Sequence, residues 1–173
     1  MGKTEITPNM RKALCSLKQN GIKICIATGR PFVTIPMFEG IVFDAILAFN
    51  GSFCVAGDQV VAKCPIPKED VKKIIENAKR MERPVSIATA EEIVANGSDK
   101  DLEDYFAIAH HRVNVSEKFE EYLEKDVFQI MLGCDLEERK YILEGTKNAK
   151  VAAWWSRAIA VSYTHLRAHE TSL

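Results

Sequence analysis

The octapeptide ICIATGRP, residues 24–31, constrains the fold more than any other part of this 173-residue chain. Residues 22–27 are apolar apart from one lysine, which is typical of a parallel β-strand covered by helices on both faces. The apolar run then changes at once to Thr28, Gly29 and Arg30. Ligands bind beyond the carboxyl ends of the strands in open parallel sheets. The octapeptide therefore predicts an α/β fold in which a buried strand ends in a polar turn.

The segments around this strand predict part of an α/β core. Thr7-Pro8 is typical of a helix start, and Asn20-Gly21 of a helix end. A second apolar strand is predicted at residues 45–49, and a short helix at residues 31–39. A helix that leads into a buried parallel strand is the second half of a βαβ unit, and two strands cannot form a covered sheet alone. We therefore expect residues 1–64 to be a partial core that lacks its first strand.

A different pattern follows this core. Ala56-Gly57-Asp58 lies between two strand-like segments and predicts a hairpin. Prolines at residues 65–67 predict a joint, after which we expect residues 65–160 to form a second, compact α/β unit. The predicted helices of this unit are residues 69–81, 102–108, 119–123 and 136–144, and its predicted strands are residues 85–88, 93–95, 127–132 and 151–155.

Composition limits the classes of partner. The chain is 47% hydrophobic and 27% charged with a net charge of −1, so we expect a packed core but no basic nucleic-acid groove and no membrane-binding patch. The sequence has no apolar run long enough to span a bilayer and no segment typical of a signal peptide. The five cysteines are widely spaced and mostly within apolar runs, which is typical of reduced, buried thiols. We expect a cytoplasmic protein without nucleic-acid or membrane partners.

The polar turn after the first strand is a candidate phosphate site. The hydroxyl of Thr28 can donate a hydrogen bond, Gly29 lets a ligand approach the backbone, and a helix start after them would favour an anion. The alternative interpretation is a strand that ends in an ordinary turn, with Arg30 solvated. These three residues do not by themselves decide between the two.

The end of the chain has two interpretations. The peptide VSYTHLRAHET, residues 161–171, is the translation of a DNA string that resembles a transposase adapter used for sequencing libraries. We therefore expect residues 161–173 to be an adapter-derived tail that is not part of the natural fold. The alternative interpretation is a metal site formed by His165 and His169, because a spacing of four residues could place two imidazoles on one helix face.

Three further candidates have simpler structural explanations. His110 and His111 are adjacent, so their side chains point in different directions and a shared metal ion is not expected. Of Trp154 and Trp155, one could face a ligand, but core packing of one ring and partial exposure of the other is favoured. The acids of residues 99–104 are most simply a solvated helix start.

The segments GIKICIATGRP, DAILAFNGSFC and GDQVVAKCPIP occur in this order, followed by an α/β insert. In order and spacing they resemble the Cof-type branch of the haloacid-dehalogenase-like (HAD) phosphatases. The resemblance covers residues 3–160. It implies a partial Rossmann-like core with an inserted α/β cap, in a Mg²⁺-dependent phosphatase that acts through an aspartyl-phosphate.

The resemblance also implies roles for residues of this chain. Thr28 and Gly29 match positions that bind the transferring phosphoryl group, and Arg30, Asn50 and Gly51 match positions near the substrate. Members of the family use two aspartates of a DxDGT motif, and a lysine and acidic metal ligands that follow the cap. This chain contains no DxDGT. No catalytic residue and no metal ligand is therefore expected within it, and Asp44 and Asp58 do not match those positions.

The implied parent protein hydrolyses small phosphorylated metabolites, with sugar phosphates as the expected class and an unknown oligomeric state. The truncated chain is expected to be inactive because it lacks the nucleophile. Two alternatives remain open: a non-catalytic domain of the same fold that binds a phosphometabolite, and a gene fragment without a cellular role.

Overall fold

The structure is a computed structural model that describes residues 6–147 and 149–163, with only the backbone described for residues 152–155. Within this part of the chain the helices are α1 (Pro8–Gln19), α2 (Lys68–Arg80), α3 (Lys100–Ile108), α4 (Phe119–Tyr122) and α5 (Arg139–Ile142). The strands are β1 (Cys25–Ala27), β2 (Ala45–Ala48), β3 (Phe53–Ala56), β4 (Gln59–Lys63), β5 (Val85–Ala88), β6 (Ile93–Ala95), β7 (Gln129–Gly133), β8 (Lys150–Trp155) and β9 (Ala158–Ser162). No helix of the described residues is long and apolar enough to cross a membrane.

The first sheet has the order β1-β2-β3-β4. β1 and β2 are parallel, with Cys25 opposite Ala45, whereas the other neighbours are antiparallel. The turn between β3 and β4 contains Gly57 at a φ of 56°, a conformation that favours glycine. The hairpin predicted around Gly57 is therefore present, and it extends the parallel pair with two antiparallel strands.

The second sheet is antiparallel throughout and has the order β6-β5-β7-β9-β8. The helix α2 packs against it through Val71, Ile74 and Ala78, which share a buried cluster with Ile87 and Ile130 of the sheet. The amphipathic pattern at residues 69–81 thus predicted both this helix and its buried face. Because burial of such side chains is the main stabilising contribution in a small unit, this cluster is the centre of the second sheet's core.

A second buried cluster joins the two sheets. The ring of Phe128 stacks on that of Phe49 with centroids 5.2 Å apart and an interplanar angle of 22°. Phe128 also packs at 5.2 Å against Phe53. Phe106 and Met131 belong to the same cluster, so residues of the first sheet and of the second share one apolar core. This packing fixes the position of the first sheet relative to α3 and β7.

The first strand and helix differ from their predictions. The strand predicted at residues 22–27 is shorter, because only Cys25–Ala27 pairs with β2, and Cys25 and Ala27 are exposed. The apolar stripe of α1 has no buried residue, and Met10 is 54% exposed. An apolar pattern indicates which face a strand or helix can bury, but burial needs a packed neighbour. Among the described residues, no neighbour packs closely enough against β1 or α1 to bury its apolar face.

Two further local predictions are corrected. The helix predicted at residues 31–39 is a single 3-10 turn, Phe32–Thr34, in which the Thr34 hydroxyl donates to the carbonyl oxygen of Pro31. Pro31 precedes this turn and Pro36 follows it by two residues, which limits helix growth there. The cysteines are not uniformly buried, since Cys54 and Cys134 are buried and Cys25 is exposed. Burial raises the pKa of Cys134 to about 11, so this thiol is protonated at neutral pH.

Part of the predicted tail belongs to the second sheet. Val161 and Ser162 lie in β9, where both are buried and pair with β7. His165 and His169 lie outside the described residues. Trp154 and Trp155 lie in β8, and their side chains are outside the described part of the chain. The division at residues 64 and 160 stays a prediction.

Candidate functional site

The carboxyl end of β1 leads directly into the predicted phosphate turn. The backbone N–H of Thr28 donates to the carbonyl oxygen of Leu47 on β2 at 2.9 Å, so the turn begins directly where the parallel ladder ends. The hydroxyl oxygen of Thr28 accepts a hydrogen bond from the N–H of Arg30 at 3.2 Å. A hydroxyl that accepts one bond can still donate its own proton. The turn therefore orients a donor at the end of the strand.

The turn after β2 packs against it. The N–H of Asn50 donates to the carbonyl oxygen of Thr28 at 3.0 Å, and the N–H of Phe49 to that of Arg30 at 3.1 Å. Phe49, Asn50 and Gly51 have φ values of 50°, 57° and 89°. The left-handed region costs a residue with a side chain about 1–3 kcal/mol, and such strain is often found at functional sites. The hydrogen bonds and the burial of Phe49 hold this turn in place.

Gly29 approaches the side chain of Asn50 closely. A Cβ on Gly29 would lie 2.7 Å from Asn50 Oδ1, closer than side chains tolerate. A larger residue at position 29 would therefore have to displace the end of the Asn50 side chain, whereas the backbone of Gly29, which is not in the left-handed region, would accept it. The octapeptide and the turn at Asn50 therefore form one compact unit.

A cavity of about 460 Å³ opens beside this unit. Its first wall is formed by residues 28–31 and by Thr34. The volume is within the range of about 300–1,000 Å³ that is typical of small-molecule sites. A donor hydroxyl, a glycine backbone and a guanidinium together present groups that suit an anionic ligand.

The second wall comes from the other sheet and from α3. Its apolar residues are Ile93, Tyr105, Phe106, Ile108, Ala109 and Met131, and its polar residues are His111 and Gln129. The buried side chain of Gln129 donates from Nε2 to the carbonyl oxygen of Gly29 at 3.3 Å. Burial raises the pKa of Tyr105 above its ordinary value, so its phenol stays neutral. The cavity thus has a polar wall and a mainly apolar wall.

The structure brings most of the predicted site residues together. Thr28, Gly29 and Arg30 line the cavity, and Asn50 lies against Gly29. Gly51 lies in the same turn but is not among the cavity-lining residues. The roles assigned to these five residues stay predictions.

The sequence analysis missed the second wall. Tyr105, Met131 and Gln129 carry no signal in the sequence that separates them from core residues. His111, which is not expected to share a metal ion with His110, lines the cavity. Its position after the apolar end of α3 was the one available signal that it could face a ligand.

The described residues do not form a metal centre. Among residues 6–147 and 149–163, no group of three or more His, Cys, Asp or Glu side chains could hold a metal ion. The carboxylate of Asp44, near the first sheet, already has protein partners. It accepts a hydrogen bond from the N–H of Ile24 at 2.8 Å and forms an ion pair with Lys18 at 3.1 Å.

The family of haloacid dehalogenase-like hydrolases matches residues 2–164. The chain belongs to this family. Among curated proteins, YkrA of Bacillus subtilis strain 168, a provisionally named phosphatase, is 28% identical over 138 residues, which cover 78% of this chain and 53% of YkrA. The chain therefore spans about half the length of this HAD relative.

Solved structures share the fold. BT1666 from Bacteroides thetaiotaomicron, a phosphatase of the haloalkanoate superfamily, superposes with a TM-score of 0.78 at 24% identity, over 93% of this chain and 61% of BT1666. The subclass IIB sugar phosphatase BT4131 superposes with a TM-score of 0.72 at 23% identity, over 93% of this chain and 64% of BT4131. The predicted fold class, a partial Rossmann-like HAD core with an inserted α/β cap, is confirmed.

Proposed function

We propose that this chain is part of a Mg²⁺-dependent phosphatase that hydrolyses small phosphorylated metabolites in the cytoplasm. One observation carries the proposal: Thr28, Gly29 and Arg30 line a cavity of about 460 Å³ at the carboxyl end of a parallel strand, in a HAD-family chain. A hydroxyl, a glycine backbone and a cation are the groups that hold a phosphoryl oxygen. The phosphatase name of YkrA and the structural likeness to BT1666 support the same class of reaction.

The nucleophile is proposed to be an aspartate outside residues 1–173, as the family resemblance implies. Its carboxylate would attack phosphorus as the ester P–O bond breaks, the alcohol would leave with a proton from the second aspartate of the DxDGT motif, and water would then hydrolyse the aspartyl-phosphate to inorganic phosphate. The acidic ligands of Mg²⁺ are proposed to lie outside this chain as well, and no step can be assigned to the metal from the residues described. Within this chain, Thr28 donates to the phosphoryl group and Arg30 supplies positive charge beside it.

Sugar phosphates are the substrate class that the resemblance implied, and the structural likeness to the sugar phosphatase BT4131 is the reason to include a sugar phosphate among the substrates tested. A second candidate function is a non-catalytic domain that binds a phosphometabolite through the same wall. The absence of DxDGT from the chain favours that candidate only if the motif is also missing from the upstream coding sequence. Reading the genomic codons beyond both ends therefore separates the two candidates.

The decisive experiment compares the 173-residue chain with the same chain extended in frame to the natural ends of its gene. We expect the extended protein to hydrolyse phosphate monoesters, and chelation of Mg²⁺ to abolish this activity. The 173-residue chain is expected to be inactive with and without Mg²⁺. Binding of phosphate esters without turnover by the extended protein would support the non-catalytic candidate, and turnover by the 173-residue chain would contradict the assignment of the nucleophile.

A further inference from the structure

The two walls of the cavity differ in chemistry, and the difference bears on the substrate. Residues 28–31 present the hydroxyl, backbone and guanidinium groups of the candidate phosphate site. The opposite wall is mainly apolar, with Ile93, Ile108 and Met131 among its residues, and it also carries Tyr105, His111 and Gln129. A phosphate ester that places its phosphoryl group on the first wall therefore places its organic group against the second.

The side-chain hydrogen-bonding groups of the second wall are the Tyr105 hydroxyl, the His111 imidazole and the Gln129 amide, beside five apolar side chains. The buried Gln129 already donates to the carbonyl oxygen of Gly29 at 3.3 Å. The backbone N–H groups of Ala109 and His111 both donate to the carbonyl oxygen of Phe106, at 3.1 and 3.0 Å. A hydroxyl that loses water against this wall thus finds few partners, and each unpaired hydroxyl typically lowers affinity by roughly tenfold.

The apolar wall is also held in a fixed position. Phe106 and Met131 belong to the buried cluster that contains Phe49 and Phe128. The rings of Tyr105 and Phe106 lie edge to face with centroids 6.1 Å apart. A wall that is part of a packed core cannot rearrange to offer polar groups, and aromatic and sulfur-containing side chains suit a ring-bearing ligand.

We propose that this cavity selects phosphate monoesters with an apolar organic group, such as an aryl group, over polyhydroxylated sugar phosphates. The proposal rests on the proposed function and narrows its substrate class. Ile108 is the specificity-determining residue that can be tested best, because it lines the cavity and is 63% exposed, so its substitution does not disturb the core. The polar wall binds the part that all phosphate monoesters share, and the apolar wall distinguishes among them.

The test uses the protein extended to the natural ends of its gene, with 1-naphthyl phosphate and glucose 6-phosphate as substrates. We expect kcat/KM for the naphthyl ester to exceed that for the sugar ester by at least tenfold. Ile108→Ser should lower kcat/KM roughly tenfold for the naphthyl ester and should lower it much less for the sugar ester. Leu136→Ser is the matched control, since Leu136 is 68% exposed and does not line the cavity.

The outcomes separate this inference from the proposed function. Turnover with a preference for glucose 6-phosphate, or equal effects of Ile108→Ser on both esters, would overturn the inference and leave phosphatase activity intact. Calorimetry with phenylphosphonate, which cannot be hydrolysed, measures binding in the case that no ester is hydrolysed. If no ester is hydrolysed but phenylphosphonate binds and Ile108→Ser weakens it, the proposed enzyme is wrong and the apolar site stands. Absence of both turnover and phenylphosphonate binding would overturn both.

Discussion

Gly29 lies so close to Asn50 that a Cβ on Gly29 would come within 2.7 Å of the Asn50 side-chain oxygen. The two residues belong to turns that follow neighbouring parallel strands, and the N–H of Asn50 also donates to the carbonyl oxygen of Thr28. Any movement of one turn is therefore passed to the other. The position of the candidate phosphate site depends on this contact as well as on Thr28 itself.

We predict that Gly29→Ala displaces the amide of Asn50 rather than unfolding the protein, because the clashing atom is at the end of a side chain that can move. The thermal midpoint of the extended protein should fall by only a few degrees, as expected for a cost of about 1 kcal/mol. The value of kcat/KM for phosphate esters should fall more than stability does. Thermal unfolding and steady-state kinetics measure the two effects.

A double-mutant cycle tests whether Asn50 transmits this effect. Asn50→Gly removes the clashing side chain and suits the positive φ of 57° at this position. In the Asn50→Gly background, Gly29→Ala should have almost no further effect on kcat/KM. Additive losses from the two substitutions would show that Gly29 acts independently of Asn50.

Thr28→Val should lower kcat of the extended protein by roughly 10²–10³, which is typical for loss of one donor to the transition state. Valine keeps the shape of the side chain but removes the hydroxyl that also accepts from the Arg30 N–H. Thr28→Ser keeps the hydroxyl and should retain most of the activity. Normal turnover by a well-folded Thr28→Val protein would mean that Thr28 is merely the end of a strand.

The stability of the first sheet should depend on pH through Asp44. The hydrogen bond from the Ile24 N–H, together with Lys18 and Lys23, lowers the pKa of Asp44 from 3.8 to about 2. Between about pH 4 and pH 2 the unfolded chain takes up a proton that the native state does not. The contribution of Asp44 is therefore complete above about pH 4 and is lost as the pH falls towards 2.

The measurement is the urea midpoint of the 173-residue chain between pH 2 and pH 6. Asp44→Asn should be less stable than the wild type near pH 6, and the difference should shrink as the pH falls. Asp58→Asn is the control, because Asp58 lies in the exposed turn between β3 and β4. A stability difference between wild type and Asp44→Asn that stays constant over this range would contradict the prediction.

Phe128 should be essential for the packing of one sheet against the other. It is 1% exposed and packs on both Phe49 and Phe53. Phe128→Ala should therefore lower the free energy of unfolding by about 3–5 kcal/mol. Tyr141→Ala, at a side chain that is 51% exposed, should change it by less than about 0.5 kcal/mol. Urea unfolding measures both, and equal losses would show that Phe128 has no special role.

Local chemistry made much of the fold predictable. The side chain of Thr7 accepts from the N–H of Met10 and Pro8 follows, as expected of a capped helix start. The amphipathic pattern at residues 69–81 predicted α2, and the sequence Ala56-Gly57-Asp58 predicted the hairpin. Each of these features depends on neighbours within a few residues. Helix caps, apolar periodicity and turn residues therefore suffice to predict them.

The sequence by itself determined the first wall of the cavity, because Thr28, Gly29 and Arg30 are consecutive and follow one strand. Only the tertiary structure decided the second wall, since Gln129 lies 100 residues from Gly29 and reaches it through the packing of two sheets. The apolar residues of that wall have the same pattern as core residues. Whether such a side chain meets the core or a cavity depends on which surface packs opposite, and no local pattern encodes that. The same reason explains why α1 and Cys25, apolar in pattern, are left exposed.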